Sequence, residues 1–140
     1  MTRDPFLIDV PESFDTNRLT IRAPRAGDGA ELNAALLESL EDLQLWTPEM
    51  APPPTVEQTE IHSRHSRAKF IAREQFPWRL FLKGTETVVG SSGLLVSKWD
   101  VPAFEIVYWV RRRFAGQGYV TEAVCAVSYT HLTLPTILRV

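Results

Sequence analysis

The stretch "YWVRRRFAGQGYVTEAV", residues 108–124, contains the pattern that decides the fold. An apolar, strand-like run ends at three arginines, glycines follow at positions 116 and 118, and a helical pattern begins directly after them. Glycines allow a ligand to approach the backbone closely, while free N–H groups and the positive end of a helix favour an anion such as a phosphate. The spacing also suits an ordinary tight turn, so an anion site and a purely structural turn both stay open.

Two common phosphate-binding motifs fit this stretch poorly. The phosphate loop of nucleotide hydrolases requires Gly-Lys-Ser/Thr at the start of the helix, where this chain has Gly118, Tyr119 and Val120. The dinucleotide fingerprint requires a third glycine where this chain has Thr121. Both interpretations are therefore weakened.

The N-terminal half alternates between strand and helix patterns. The run "NRLTIRAP" (17–24) has the period of a strand, and a helix or two successive helices are expected from Gly29, with Asp28 and Glu31 as a capping pair. Prolines then interrupt the chain, and "TVEQ" (55–58) predicts a second capping box. The helix that follows should reach about Arg73, and its predicted buried stripe comprises Ile61, His65, Ala68, Ile71 and Ala72.

Three strand-like runs come before the glycine turn. They cover 78–82, 88–96 and 103–110, and their short connections predict an antiparallel meander. The order strand, helices, three strands, helix predicts an α/β layer structure with mixed strand pairing.

The composition is that of an ordinary globular protein. The 140 residues are enough for one domain, 44% of them are hydrophobic, and the net charge is -2. Neither a basic surface for nucleic acid nor a membrane span is expected, and the N-terminus does not resemble a signal peptide. We expect a cytoplasmic protein, and the single Cys125 cannot form an internal disulfide.

The segment "RFAGQG" (113–118) fits the Arg/Gln-x-x-Gly-x-Gly/Ala signature of the GNAT superfamily of N-acetyltransferases, which this chain resembles. The runs "VVGSSGL", "FEIVYWV" and "GQGYVTEAV" occur in the order and spacing of the branch that contains ribosomal-protein and amino-acid N-acetyltransferases. The resemblance covers about residues 13–126. It implies a GNAT-like fold, with a mixed, mostly antiparallel sheet flanked by helices.

The resemblance also implies a reaction and a coenzyme. Such proteins transfer acetyl from acetyl-CoA to a primary amine, which would be a protein N-terminus or a small amine. The turn would bind the coenzyme pyrophosphate, the preceding strand would lie along the pantetheine arm, and an N–H near position 109 or 110 would bind the oxyanion. The implied coenzyme-binding residues are Trp109, Val110, Arg111, Arg113, Gly116, Gln117, Gly118 and Tyr119.

The amine must lose a proton, and Glu105 is the candidate base. Strand alternation would place Glu105 on one face with Val107 and Trp109, but an ion pair with an arginine explains this carboxylate equally well. Arg111 and Arg112 could likewise meet the coenzyme phosphates or simply be solvated.

The other conspicuous side chains favour structural roles. His62 and His65 have a spacing that can hold a metal, but a third ligand is missing and no metal site is expected. Cys125 is expected to pack, and so is Trp78 at the entrance of its strand. Trp46, beside a proline-rich loop, and Trp99, before Asp100, are candidates for contact with the acceptor.

The C-terminal segment has a different character. The run "VSYTHLTLPT" (127–136) matches the translation, in one frame, of the end of a transposase-based sequencing-library adapter, and the flanking codons fit the same origin. We therefore expect residues 1–126 to be the N-terminal part of one acetyltransferase domain and residues 127–140 to be non-native. The alternative is a genuine extension in which His131 is functional.

This boundary has consequences for activity. Relatives continue with a further strand, a helix and closing strands, which complete the pantetheine notch and often supply a Tyr or Ser as general acid. The chain is expected to lack these C-terminal strands and this helix and to transfer acetyl weakly or not at all. A non-catalytic module that binds coenzyme A or another anion is the alternative function.

Overall fold

The computed structural model describes residues 10–45, 52–98, 103–132 and 137–139. Its elements, in chain order, are β1 (Ser13–Asp15), β2 (Leu19–Arg22), α1 (Gly29–Glu38), α2 (Leu40–Gln44), α3 (Val56–Ile71), β3 (Gln75–Leu82), β4 (Val88–Lys98), β5 (Ala103–Val110), a 3₁₀ turn (Arg112–Phe114), α4 (Tyr119–Leu132) and β6 (Ile137–Arg139). Among the described residues, no helix is long and apolar enough to cross a membrane.

The strands form one sheet in sequence order from β1 to β6. Neighbouring strands are antiparallel except for the last pair, in which β6 runs parallel to the first part of β5. The predicted α/β class with mixed, mostly antiparallel pairing is therefore confirmed. The two short strands β1 and β6 were not predicted.

Helices cover both faces of this sheet. Leu80 packs in a cluster with Ala123 and Val127 of α4, whereas its neighbour Phe81 packs in a second cluster with Leu32 of α1. Consecutive residues of a strand point to opposite faces, so the sheet lies between α4 on one side and α1 on the other. The predicted packing of Trp78 is confirmed, since this side chain is fully buried in the first cluster.

The capping pair predicted at the start of α1 is wrong. Asp28 occupies the N-cap position but makes no side-chain cap bond. Its carboxylate accepts hydrogen bonds from the buried Arg22 guanidinium, at 2.8 Å and 3.1 Å, because a buried cation requires a partner. The backbone N–H groups of Gly27 and Gly29 donate instead to Glu60 of α3, each at 2.8 Å.

Helix α3 begins as predicted but buries a different face. Thr55 and Gln58 form the reciprocal capping box, which confirms that prediction. The buried residues are Thr59, Ser63, Ser66 and Phe70, whereas Ile61 is 50% and Ile71 is 54% exposed. The predicted apolar stripe is wrong because small polar side chains face α1, where Asn33 donates a 2.9 Å hydrogen bond to the Thr59 hydroxyl.

Candidate functional site

The turn that joins β5 to α4 has a backbone that requires glycine at two positions. Gly116 and Gly118 have φ values of +74° and +82°, in the left-handed region that other residues avoid. Just before them, the 3₁₀ turn is closed by the N–H of Phe114, which donates to the carbonyl of Arg111 at 2.9 Å. The chain therefore reverses from the sheet edge into the N-terminus of α4 without a side chain filling the turn at either glycine.

The N–H groups of this turn are available to a ligand. Among the described residues, the backbone N–H groups of positions 116–121 donate no hydrogen bond within the chain, and the next one, that of Glu122, donates to the Gly118 carbonyl at 3.1 Å. These groups lie at the start of the 14-residue helix α4, where the helix dipole is positive. A turn with these properties can bind one anion through several N–H groups.

Arg18 holds the turn from the side of β2. Its guanidinium donates to the Gln117 carbonyl at 3.0 Å and forms an ion pair with Glu122 at 2.8 Å. It also lies over the ring of Tyr119, 4.2 Å from the ring centroid. The turn is thus fixed to the sheet through an interaction that spans about a hundred residues of sequence.

The three arginines before the turn all face the junction of α1 and α2. Arg111 is 5% exposed and forms ion pairs with Glu31 at 2.7 Å and Glu38 at 3.0 Å. Arg113 forms an ion pair with Glu38 at 2.7 Å. Arg112 contacts two further acidic residues, with bonds of 3.1 Å and 3.3 Å to Asp42 and Glu41.

An open cleft of about 420 Å³ adjoins this turn. It lies where the end of β5 meets α2, and it has apolar walls with a few charged side chains at its rim. Its lining residues are Asp42, Leu43, Tyr108, Trp109, Val110, Arg112 and Ala115. The cleft is large enough to accept the narrow arm of a ligand whose phosphates are bound at the turn.

The structure places the predicted strand residues on both faces of the sheet. Trp109 packs against the cluster of α1, and Val110 packs against the cluster of α4. Glu105 lies opposite Leu95 in the pairing of β5 with β4, and its side chain is outside the described part of the chain. Trp46 and Trp99 also lie outside the described residues.

Two carboxylates that contact the arginines have lowered pKa values. Hydrogen bonds from Arg113 lower the pKa of Glu38 to about 2, against the opposing effect of partial burial, and the Arg112 guanidinium lowers the pKa of Asp42. A general base is most effective when its pKa lies near the working pH. Glu38 and Asp42 are therefore suited to holding cations, and poorly suited to accepting a proton from an amine.

The remaining candidate side chains have no clear link to the turn. In the part of the chain that the structure describes, no three His, Cys, Asp or Glu residues lie together as a metal site would require. Burial lowers the pKa of His62, which favours its neutral form. Cys125 is exposed, so its predicted packing is wrong. Ala123 and Val127 form the buried face of α4 instead.

Sequence reasoning missed the residues that hold the turn in place. Glu38, Ser39 and Arg18 contact it from elements that lie more than 70 residues away in the chain. One signal was available, because three consecutive arginines follow a strand while the end of the first helix is acidic. That charge complementarity suggested an ion-pair network but not its individual pairs.

Comparisons with known proteins agree with this geometry. The family described as Acetyltransferase (GNAT) domain matches residues 18–137. A Vibrio cholerae structure, described as a candidate ribosomal-protein-serine acetyltransferase, is 23% identical with a TM-score of 0.75 and covers 90% of this chain and 72% of that chain. No significant match was found among curated proteins.

Two further structures share the fold. A Salmonella typhimurium acetyltransferase, which modifies the N-terminal serine of ribosomal protein L7/L12, is 18% identical with a TM-score of 0.72 and covers 87% of this chain and 68% of that chain. The microcin C7 self-immunity acetyltransferase MccE, in complex with acetyl-CoA and AMP, is 15% identical with a TM-score of 0.73 and covers 83% of this chain and 63% of that chain.

The present chain thus spans 63% to 72% of the length of these three structures. At this level of identity the likeness concerns the fold alone. The family match, by contrast, covers most of the sequence. The chain therefore belongs to the GNAT acetyltransferase family.

Proposed function

We propose that the chain is the coenzyme-binding part of an N-acetyltransferase that moves acetyl from acetyl-CoA to a primary amine. The observation that carries this proposal is the row of unpaired N–H groups at positions 116–121, at the start of α4. The pyrophosphate of coenzyme A is an anion of the size that such a turn binds. Membership of the acetyltransferase family and the acetyl-CoA bound to the related MccE support the choice of coenzyme.

Within the turn, the backbone would do most of the binding. Gly116, Gln117, Gly118 and Tyr119 would present N–H groups to the pyrophosphate. Gly118 has no room to spare, since a Cβ there would lie 3.3 Å from the Arg18 guanidinium. Arg113 was expected to bind the coenzyme directly, but its N–H and its guanidinium both contact Glu38. Its proposed part is to orient the turn.

The pantetheine arm would continue along the edge of β5. Strand β6 pairs only with Ala103–Glu105, so the rest of this edge has no neighbouring strand among the described residues. Free backbone groups on an edge can pair with an extended ligand. We propose that an N–H near Trp109 or Val110 binds the oxyanion of the tetrahedral intermediate.

The acceptor must be a neutral amine when it attacks the thioester. An N-terminal amine, with a pKa of about 7.7 to 8.0, is deprotonated far more easily than a lysine side chain, with a pKa of about 10.4. We propose that Glu105, directly or through water, accepts the proton. The acceptor would be a protein N-terminus or a small amine, and the reaction would take place in the cytoplasm.

Isotopically labelled acetyl-CoA tests the proposal. Coenzyme A should raise the melting temperature of the purified chain in a concentration-dependent way, because it binds the folded form. Labelled acetyl should appear on a primary amine, though slowly, since we also propose that the chain lacks part of the pantetheine notch. A turnover rate near that of intact relatives would contradict the proposed impairment.

A non-catalytic module that binds coenzyme A is the second candidate function. It is favoured by the low pKa of Glu38 and the lowered pKa of Asp42, since a lowered pKa makes both carboxylates weaker bases. Coenzyme binding without acetyl transfer to any amine, in a chain with its complete native C-terminus, would support this module. Transfer by that complete chain would reject it.

We further propose that residues 1–126 are the N-terminal part of one acetyltransferase domain and that residues 127–140 are non-native. The support is the match between residues 127–136 and a translated library adapter. Val127 is nevertheless buried against the core, and α4 runs on to Leu132. Sequencing the gene across the codon for Ala126 from independently prepared DNA tests the boundary, and recovery of the same codons beyond it would contradict this proposal.

A further inference from the structure

The end of β5 is attached to the α1–α2 junction at two consecutive backbone positions. The N–H of Arg112 donates to the hydroxyl of Ser39 at 2.9 Å, and the N–H of Arg113 donates to the carboxylate of Glu38 at 3.0 Å. Ser39 is fully buried. These two bonds determine the direction in which the chain leaves the sheet, immediately before the 3₁₀ turn and the glycines.

Glu38 connects three groups beside the turn. Its two oxygens accept hydrogen bonds from the backbone and guanidinium of Arg113, at 2.7 to 3.2 Å, and from Nε of Arg111 at 3.0 Å. One carboxylate thereby links a buried arginine, an exposed arginine and the backbone of the turn. Bonds between charged groups are the stronger hydrogen bonds of proteins.

The neighbouring carboxylates offer a contrast. Glu41 is mostly exposed, and among the described residues it contacts only Arg112, through a 3.3 Å bond. It holds no backbone group of the turn. Glu41 is therefore a natural control, because it has the same chemistry on the same junction without the same connections.

A second role for Glu38 would be to occupy Arg113 until a coenzyme phosphate displaces it. The contacts favour positioning over displacement. Removing Glu38 from its place would free not only the Arg113 guanidinium but also the Arg113 N–H and Nε of the buried Arg111. A buried donor left without a partner is costly, so the contact of Glu38 with the buried Arg111 is expected to persist when the coenzyme binds, and it keeps the carboxylate in reach of Arg113.

We propose that Glu38 is a positioning residue for coenzyme binding: it fixes the chain at Arg113 so that the N–H groups of positions 116–121 converge on one anion. The proposal rests on the proposed function for its ligand. It also makes the C-terminal end of α1, which Glu38 occupies, part of the machinery that orders the turn. An acceptor that moved this junction would change coenzyme affinity through Glu38.

Glu38→Gln tests the proposal, with Glu41→Gln as the matched control. Glu38→Gln keeps the shape of the side chain but removes its charge, and it should weaken coenzyme A binding about tenfold or more, measured by isothermal titration calorimetry. Glu41→Gln should leave the affinity unchanged. Tighter binding by Glu38→Gln would overturn positioning and support displacement, and unchanged affinity would also overturn it.

A second measurement separates the turn from the ligand. In the absence of coenzyme, Glu38→Gln should speed amide hydrogen exchange at residues 113–115, and Glu41→Gln should not. Unchanged exchange in Glu38→Gln would reject positioning whatever the affinity. If the unmodified chain fails to bind coenzyme A, the proposed function fails, while the exchange result still decides whether Glu38 orders the turn.

If Glu38 served only the stability of the fold, coenzyme affinity and amide hydrogen exchange would change in a different way. Loss of global stability would accelerate exchange throughout the core and leave the affinity of the folded fraction unchanged. Positioning predicts faster exchange confined to the turn together with weaker binding. In Arg113→Gln, where the main partner is absent, Glu38→Gln should have a smaller further effect on affinity, because the two side chains act together.

Discussion

Two buried arginines of this chain have opposite surroundings. Arg111, 5% exposed, contacts the carboxylates of Glu31 and Glu38 and the carbonyl of Val88. Arg79, 4% exposed in β3, has only a 3.4 Å bond to the hydroxyl of Ser91, and its Nε and Nη2 atoms have no partner among the described residues. Burial lowers the pKa of Arg79 to about 10.

The difference shows what each buried cation contributes. At Arg111 the charge is matched, and the ion pairs join the end of β5 to α1 beside the candidate site. At Arg79 the charge is poorly matched, because burial opposes the charged form more strongly than Asp28 favours it, and Arg22 lies directly across the strand pair and adds repulsion. A buried guanidinium thus organises structure where carboxylates surround it and costs stability where they do not.

The largest expected effect comes from removing the matched cation. Arg111→Met should lower the free energy of unfolding by about 3 kcal/mol, because it leaves two carboxylates without their buried partner. This is the lower end for a broken buried pair, since Glu31 and Glu38 are partly exposed. Urea denaturation measures it, with the half-exposed Arg112→Met as control. Equal losses in the two variants would contradict the assignment of Arg111 as the organising cation.

Replacing the poorly matched cation, Arg79, should raise the free energy of unfolding. Arg79→Met keeps an apolar stem of similar length and removes a buried charge, so we expect unfolding to require about 1 kcal/mol more. Arg79→Lys keeps the charge and should gain nothing. A loss of stability in Arg79→Met would show that this guanidinium has a partner that stabilises it.

Alanine substitutions in two glycine turns should differ in their effect on coenzyme A binding. Gly116 and Gly84 have φ values of +74° and +78°, and a Cβ at either would meet nothing within 4 Å. Alanine at each position should therefore cost a similar amount of stability, about 1 kcal/mol. Only Gly116→Ala should weaken coenzyme A binding, by about tenfold, because it strains the turn that presents the N–H groups. Equal coenzyme A affinities of Gly116→Ala and Gly84→Ala would contradict a role of the turn at Gly116 in coenzyme binding.

The smallest effect is a change in acid sensitivity. The pKa of Glu38 falls from its ordinary value of 4.5 to about 2 in the folded chain. Its ionised form therefore stabilises the fold fully above pH 4.5, and this contribution is lost as the pH falls towards 2. Glu38→Gln should lose less stability over this window, measured by the urea midpoint at pH 7, 4 and 3. Parallel curves for the two chains would contradict the ion pairs of Glu38.

Patterns that depend on local sequence were predictable. The strands of the meander, the capping box at Thr55 and the glycine turn all follow from periodicity, turn chemistry or spacing. The buried face of α3 was not predictable, because serines and threonines make up most of it and carry no hydrophobic signal. Asp28 failed as a cap for a related reason, since its carboxylate binds Arg22 instead.

The candidate site was predictable only in its central part. The glycines at 116 and 118 could be identified from the chain alone, and the structure gives both the left-handed backbone that only glycine adopts easily. The residues that hold the turn could not be identified in this way, because Glu38 and Arg113 are 75 residues apart and their pairing depends on how α1 packs on the sheet. Long-range ion pairs are set by the fold, and a sequence pattern shows only that charges of both signs are available.

The central claim is that the N–H groups of residues 116–121 bind the pyrophosphate of coenzyme A. Titrating the ¹⁵N-labelled chain with coenzyme A, and following each amide resonance, tests it directly. We predict that the largest chemical-shift changes fall on residues 116–121 and that they saturate with one coenzyme per chain. Saturation with the largest changes elsewhere, or no change at these amides, would contradict the account.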